Sequence, residues 1–172
     1  ILNILHLGKY YYPYKGGMES VVKDICTGLS DKDHHIEVLC ANDSNTYKED
    51  LVDGIKVTRL ARWMTLFSQS ITISIFWKLL SKAKDFDLVH LHSANTLIEL
   101  ACLFLPKDIP IVVTYHSDVV RQKFLLPFYS PLINALLKRA KTIYVATENH
   151  IKFSKFLPEY SEKCKIIPFG ID

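Results

Sequence analysis

The sequence is short of glycine, with six in 172 residues, and none forms a GxGxxG run, so a nicotinamide-dinucleotide site of the usual kind is not expected. Its four cysteines, Cys26, Cys40, Cys102 and Cys164, stand singly in or beside apolar stretches. Without a CxxC pair they argue against a disulfide framework or a zinc site, and they read as reduced packing residues of a cytoplasmic protein. No signal peptide is visible. The longest uncharged stretch, Trp63 to Trp77, is interrupted by Ser, Thr and Gln and is shorter than the ~20 apolar residues of a spanning helix. Any membrane contact is therefore expected to be peripheral, at the inner face. Neither charge sign dominates: 21 Lys and Arg against 18 Asp and Glu leave a net charge of +3. That excludes the dense basic patch of a nucleic-acid binder. Repeats, low-complexity segments and Gly/Ser linkers are also missing.

What is present is a chain 49% hydrophobic, enough to build one globular domain over residues 1–172. Short β-type runs alternate with longer helical ones. Strands are expected at Ile1–Leu7, Ile36–Ala41, Ile55–Leu60, Leu88–Leu91, Ile111–Tyr115, Thr142–Ala146 and Lys165–Ile167. Met18, Val21, Val22, Ile25, Cys26 and Leu29 recur at helical spacing. Further helices are expected over Ile71–Lys84, Thr96–Leu105, Phe124–Arg139 and His150–Phe156, and a loop over Asn42–Asp53. Strands apolar on both faces, alternating with helices, imply an open, doubly wound parallel α/β sheet with helices on both faces. Such sheets bind ligands beyond the carboxyl ends of their strands.

Polar groups gather at those ends. Lys9 to Tyr14 and then Gly16-Gly17 follow the first strand, and Arg62 the third, with Arg59 just before its end. His92, Ser93 and Asn95 follow the fourth. His116, Ser117, Asp118 and Arg121 follow the fifth, and Thr147, Glu148 and Asn149 the sixth. Their joint placement points to one cleft. Gly16-Gly17 runs into a helix whose N–H groups suit phosphate, although a plain loop-to-helix turn would read the same way. His90 and His92 are read as facing opposite sides of the sheet, which separates them as metal ligands; no metal site is expected. His90 reads as a core residue. His92, at the strand end, suits a functional or a structural role equally, and His116 is the histidine best placed to donate to a sugar hydroxyl or phosphate oxygen, although a loop residue hydrogen-bonded to backbone would read the same way. The tyrosines from Tyr10 to Tyr14 could stack on a sugar, meet a lipid interface beside Lys9 and Lys15, or pack over the sheet edge. Trp63 to Phe67 and Ile71 to Leu80 could face a membrane, but core packing is the expected reading.

The motifs, in order, resemble those of family-4 glycosyltransferases over their N-terminal domain. They are Pro13-Tyr14-Lys15-Gly16-Gly17-Met18-Glu19, then His34-His35-Ile36-Glu37-Val38, and Phe86-Asp87-Leu88-Val89-His90-Leu91-His92. Val113-Thr114-Tyr115-His116-Ser117-Asp118 and Lys165-Ile166-Ile167-Pro168-Phe169-Gly170-Ile171-Asp172 complete the set. Asp33 stands where the family usually has glycine. The resemblance implies one Rossmann-like half of a GT-B fold, the acceptor-side domain of a retaining hexosyltransferase. It would move a sugar from a nucleotide-sugar to a glycan or lipid-linked acceptor in bacterial surface polysaccharide synthesis. It also implies that the donor-binding domain lies outside this chain, that the isolated chain is inactive, and that no cofactor is needed. Gly16 and Gly17 would approach the donor diphosphate and His116 would act at the transferred sugar. Tyr14, Arg62, His92, Ser93, Asp118, Arg121 and Glu148 would shape the acceptor pocket. Two other readings stay open: a non-catalytic binding module of the same fold, and another GT-B enzyme such as a sugar-nucleotide epimerase.

Overall fold

The computed structural model describes residues 1–66, 69–93, 95–117 and 126–169. Its centre is an eight-stranded sheet. The strands are β1 (Asn3–Gly8), β2 (His35–Ala41), β3 (Lys48–Val52), β4 (Ile55–Leu60), β7 (Leu88–His92), β8 (Ile111–Thr114), β9 (Thr142–Val145) and β10 (Cys164–Ile166), in the spatial order β10-β9-β8-β7-β1-β2-β4-β3. Every pairing is parallel except β3 with β4. From β1 the chain builds outward to β4, then returns to place β7 on the other side of β1. The β1–β7 seam is thus the topological switch point, where such sheets open a crevice.

The two faces of the sheet differ. On one, Leu5, Leu7, Leu39, Val89, Leu91, Ile111, Val113, Ile143 and Val145 pack under α2 (Ile75–Lys82), α3 (Thr96–Leu103) and α4 (Leu126–Arg139). On the other, Ile4, Ile36, Val38, Cys40, Ile55 and Val57 pack under Val22 and Cys26 of α1 (Gly17–Ser30). Beside α1 this second face carries an apolar trough of about 440 Å³, floored by Ile4, Leu88, Val112 and Tyr144. All four cysteines are free, and Cys26, Cys40 and Cys102 are buried, as their apolar surroundings predict.

Several expectations need correction. Asn42–Asp53 is not all loop: Lys48–Val52 forms β3, the antiparallel edge strand. It is polar because an edge strand is half solvated, and its charges discourage further pairing. Ile71 ends a small hairpin, β5 (Met64–Leu66) with β6 (Gln69–Ile71), and the helix begins only at Ile75. That helix packs in the core through Ile75 and Leu79, as expected, whereas Trp63, Met64, Leu66, Ile73 and Trp77 are exposed. A short helix α5 spans Glu148–Phe153, and a 3-10 segment Leu157–Lys163 leads into β10. Asp33 takes φ +61°, the left-handed turn that suits the family's glycine, so the turn survives the substitution.

Candidate functional site

The parallel strands all end on one edge, where His116 after β8 reaches His92 at the end of β7 and the loop after β1 runs over the ends of β2 and β4. The loop leaving β1 is pinned from beneath. Arg59, buried near the end of β4, donates to the carbonyls of Tyr11 (3.1 Å) and Tyr12 and pairs with Asp50 at 2.6 Å. Of the tyrosines, Tyr10 and Tyr11 are buried, which is the packing alternative. Tyr12 and Tyr14 are exposed, and Tyr14 rests on Tyr10 with ring centroids 4.3 Å apart. Tyr14, Pro13, Asn42, Asp43, Ser44, Thr46 and Lys48 border a polar hollow of about 250 Å³. Arg62, just after β4, ties its backbone N–H to Ser44 at the rim of this region.

Gly16 is the residue before α1 and Gly17 its first residue. The Glu19 carboxylate folds back so closely that a Cβ on Gly16 would lie 2.1 Å from Oε2. A Cβ on Gly17 would meet nothing within 4 Å. A side chain at the first glycine would have to displace Glu19, whereas one at the second would displace nothing. The first-turn N–H groups of a helix suit an anion, and here the Glu19 carboxylate lies at that end of α1.

His90 and His92 do not face opposite sides. Residues two apart on a strand share a face, and the two rings stack with centroids 4.5 Å apart and planes at 25°. They share that face with His6 of β1, which is in register with His90. Nothing in the sequence pattern singles out His6: Leu5-His6-Leu7 reads as an ordinary buried strand. Its significance lies in the β1–β7 pairing, which only the topology reveals. His6 Nδ1 lies 3.1 Å from His92 Nε2, His92 Nδ1 lies 3.4 Å from His116 Nε2, and His90 Nε2 lies 2.7 Å from Thr114 Oγ1. Burial, reinforced by neighbouring imidazoles, lowers all four titration points: well below the usual range in His6 and His92, to about 3 in His90 and to about 4 in His116. All four rings are neutral at pH 7. His116 is half-buried and meets the ring of Phe169 at 5.3 Å between centroids.

Both nitrogens of His92 are thus engaged within the protein. Ser93 is likewise buried and donates to Glu99 at 2.8 Å; Tyr129 donates to the same carboxylate oxygen at 3.2 Å. Asn95 caps α3, accepting from the Ile98 N–H. Glu148 is exposed at the start of α5. Asp118 and Arg121 lie outside the described residues. Among the candidate residues, then, the geometry joins His92 to His116 and leaves Tyr14 and Arg62 farther along the same edge.

The sequence pattern of glycosyltransferase family 4 matches residues 15–172. The chain belongs to that family. It is 31% identical to D-rhamnosyltransferase WbpZ of Pseudomonas aeruginosa over 99% of its own length and 45% of the relative's. It is 26% identical to O-antigen chain mannosyltransferase C of Escherichia coli, over 99% and 46%. The chain spans about half the length of these curated relatives. Among solved structures, Alr3699/HepE of Anabaena in complex with UDP-glucose superposes with a TM-score of 0.67 at 15% identity, over 100% of this chain and 45% of that one. The catalytic domain of starch synthase IV from Arabidopsis thaliana, bound to ADP and acarbose, gives 0.67 at 14% identity, over 99% and 52%. These likenesses establish the fold, a Rossmann-like α/β domain of the GT-B kind.

Proposed function

We propose that this family-4 chain is the N-terminal, acceptor-side half of a retaining glycosyltransferase of bacterial surface polysaccharide synthesis. Its donor is a nucleotide-sugar and its acceptor a glycan or lipid-linked glycan. The observation that supports the reading best is that Gly16-Gly17, leading from β1 into α1, and His116, which follows β8 and meets His92 at the end of β7, both follow strands that end on one sheet edge. The names of the curated relatives, and the UDP and UDP-glucose held by a structural neighbour, support the same donor class.

In this reading the helix amides meet the donor diphosphate and His116 meets the transferred sugar or the acceptor. Catalysis is then positioning plus stabilisation of the leaving diphosphate, with no metal or cofactor assigned. Tyr14, Arg62 and Glu148 would border the acceptor side, and His92 and Ser93 support it from within; Asp118 and Arg121, which the family resemblance assigns to the acceptor, lie outside the described residues. Closure of the second half over this edge would exclude water. No helix among the described residues is long and apolar enough to cross a membrane. The exposed Trp63, Met64, Leu66, Ile73 and Trp77 would instead rest on the inner membrane face, beside a lipid-linked acceptor.

The test is the full-length enzyme against a panel of nucleotide-sugars, read as released nucleoside diphosphate in the presence of acceptor. His116→Ala is expected to lower kcat about a hundredfold, the scale of a lost positioning contact, with the fold intact. Unchanged turnover would remove His116 from the site. Residues 1–172 alone are expected to transfer nothing; measurable transfer by them would overturn the assignment of the donor half to another domain.

A further inference from the structure

Three imidazoles run end to end from the middle of β1 to the cleft rim. In both contacts of the row the ring centroids stand farther apart than the nitrogens by the same margin, two ring radii. The distances are 5.4 against 3.1 Å for His6 and His92, and 5.7 against 3.4 Å for His92 and His116. Each nitrogen therefore lies on the line joining its ring to the next, where an imidazole's N–H and lone pair both point. His90 is outside the row. It stacks beside it and is bonded to Thr114.

Nitrogens of His6, His90 and His92 lie within 4.8 Å of one another, so a metal site has to be weighed first. A metal sits about 2.0–2.1 Å from each imidazole nitrogen, so two lone pairs aimed straight at each other would need about 4 Å between them. The 3.1 Å between His6 and His92 is instead a hydrogen-bond distance. The row is therefore read as hydrogen-bonded.

Burial keeps each ring neutral, with one proton apiece. Each contact needs one donor and one acceptor, so only two arrangements satisfy the row. If the protons point inward, His116 donates to His92 and His92 to His6. That leaves an N–H on His6 Nε2, an atom fully buried and without a partner among the described residues. If they point outward, His6 Nδ1 donates to His92 and His92 Nδ1 to His116, and the buried atom is only a bare acceptor. Stranded buried donors are the rarer and costlier case, so the outward arrangement wins.

We propose that His92, backed by His6, holds His116 in its Nδ1–H tautomer, so that His116 offers the cleft a hydrogen-bond donor and not a base. This rests on His116 facing substrate, as in the function proposed above. Nε2 is occupied by His92, and Nδ1 carries the proton. His116 then suits a hydroxyl or phosphate oxygen on donor or acceptor, and removal of the acceptor's proton falls to another group. His92 and His6 are positioning residues.

Ring-nitrogen NMR of the full-length enzyme, with histidines assigned by single substitutions, reads the tautomers directly. The expected result at pH 7 is a protonated Nδ1 and a bare Nε2 on His6, His92 and His116. A protonated Nε2 on His116 would overturn the proposal. Kinetics give a second reading. His92→Leu removes the inner donor and is expected to lower kcat about tenfold, the scale of one misdirected hydrogen bond, with KM for the nucleotide-sugar changed by less than about twofold. His92→Asn places an amide N–H near the position of Nδ1 and is expected to restore the His116 tautomer and most of kcat. Equal losses in the two variants would count against positioning. If the wild-type tautomer is as expected but His116→Ala turns over normally, the assignment of His116 to the substrate has failed while the hydrogen-bonded row has not.

Discussion

Replacing Gly17 by alanine separates what the fold asks of this residue from what a ligand would ask. Gly17 opens α1 at a φ that other residues also adopt, and its Cβ would meet nothing within 4 Å. Alanine there narrows the unfolded ensemble and favours the helix, which stabilises by about 0.4–1 kcal/mol. At roughly 2–4 °C per kcal/mol for a domain of this size, Tm should rise by about 1–4 °C. Gly16 is the opposite case, since its Cβ would lie 2.1 Å from Glu19 Oε2. That carboxylate is the end of a flexible side chain and can yield. It would give up its place against the positive end of the helix, about 0.3–1 kcal/mol, and take on rotamer strain of about 0.5–1.5 kcal/mol. Less the entropic gain, Gly16→Ala should cost about 1 kcal/mol.

The ligand reverses the order of tolerance at Gly17. If the donor diphosphate comes to the first-turn amides, a methyl group on their exposed side holds it off. A displacement near 1 Å is worth about a hundredfold in kcat/KM. The expected signature is a full-length Gly17→Ala enzyme more heat-stable than the wild type and nearly inactive. Thermal denaturation and nucleoside diphosphate release measure the two halves separately. A stabilised Gly17→Ala enzyme with wild-type kinetics would refute the approach of the diphosphate to this turn. A destabilised one would refute the steric reading of the fold.

Asp50 is held below the usual carboxylate range by hydrogen bonds from Lys48 and then Arg59. Its stabilisation is present above about pH 4 and is lost as pH falls through its folded value. Asp50→Asn should therefore cost about 1–3 kcal/mol at pH 7 by urea unfolding, with the gap to wild type closing in acid; a gap independent of pH would refute the pairing. His90, lowered to about 3 by burial, stabilises the fold above pH 6.5 and loses that contribution as pH falls toward its folded value. Between pH 6 and 4 a His90→Gln variant should show a stability slope shallower by about 1.4 kcal/mol per pH unit, and matching slopes would refute a neutral buried ring. Trp63→Ser with Trp77→Ser should reduce co-sedimentation of the full-length protein with anionic vesicles severalfold; undiminished pelleting would remove the membrane reading of that patch.

The parallel core was legible because its strands are apolar throughout, and runs such as Ile111-Val112-Val113 have no other plausible environment. Charged Lys48-Glu49-Asp50 gave no such signal, since an edge strand is specified by its neighbour more than by its own side chains. The three-residue strands of the β5–β6 hairpin were too short for any periodicity to register. The polar residues at the strand ends were legible as a set because parallel topology sends them all to one edge. Their individual roles were not. Ser93 reads as a loop hydroxyl until Glu99, one helical turn into α3, is seen to accept its hydrogen bond. The histidines were misjudged by a misapplied alternation: positions 90 and 92 share a face, and sequence alone could not reveal that β1 brings His6 beside them.

Those residues raise a question of cost. His6, His90, His92 and Thr114 lie together on one sheet face, all buried, where the opposite face of the same strands is Leu, Val and Ile. Their polar atoms are satisfied largely by one another, so removing any one strands a partner at about 1–3 kcal/mol. Removing all of them leaves only the half-buried His116 without its partner. If the set were only structural, apolar side chains of similar size would serve at least as well. A fourfold variant, His6→Leu, His90→Val, His92→Leu and Thr114→Val, should accordingly unfold at nearly the wild-type urea concentration, although the four single changes sum to a large loss. The same variant should turn over slowly, because His116 has lost the neighbour that orients its proton. If the single-site losses simply add in the fourfold variant, the four side chains are independent, and the case for a coupled polar row at the switch point falls with them.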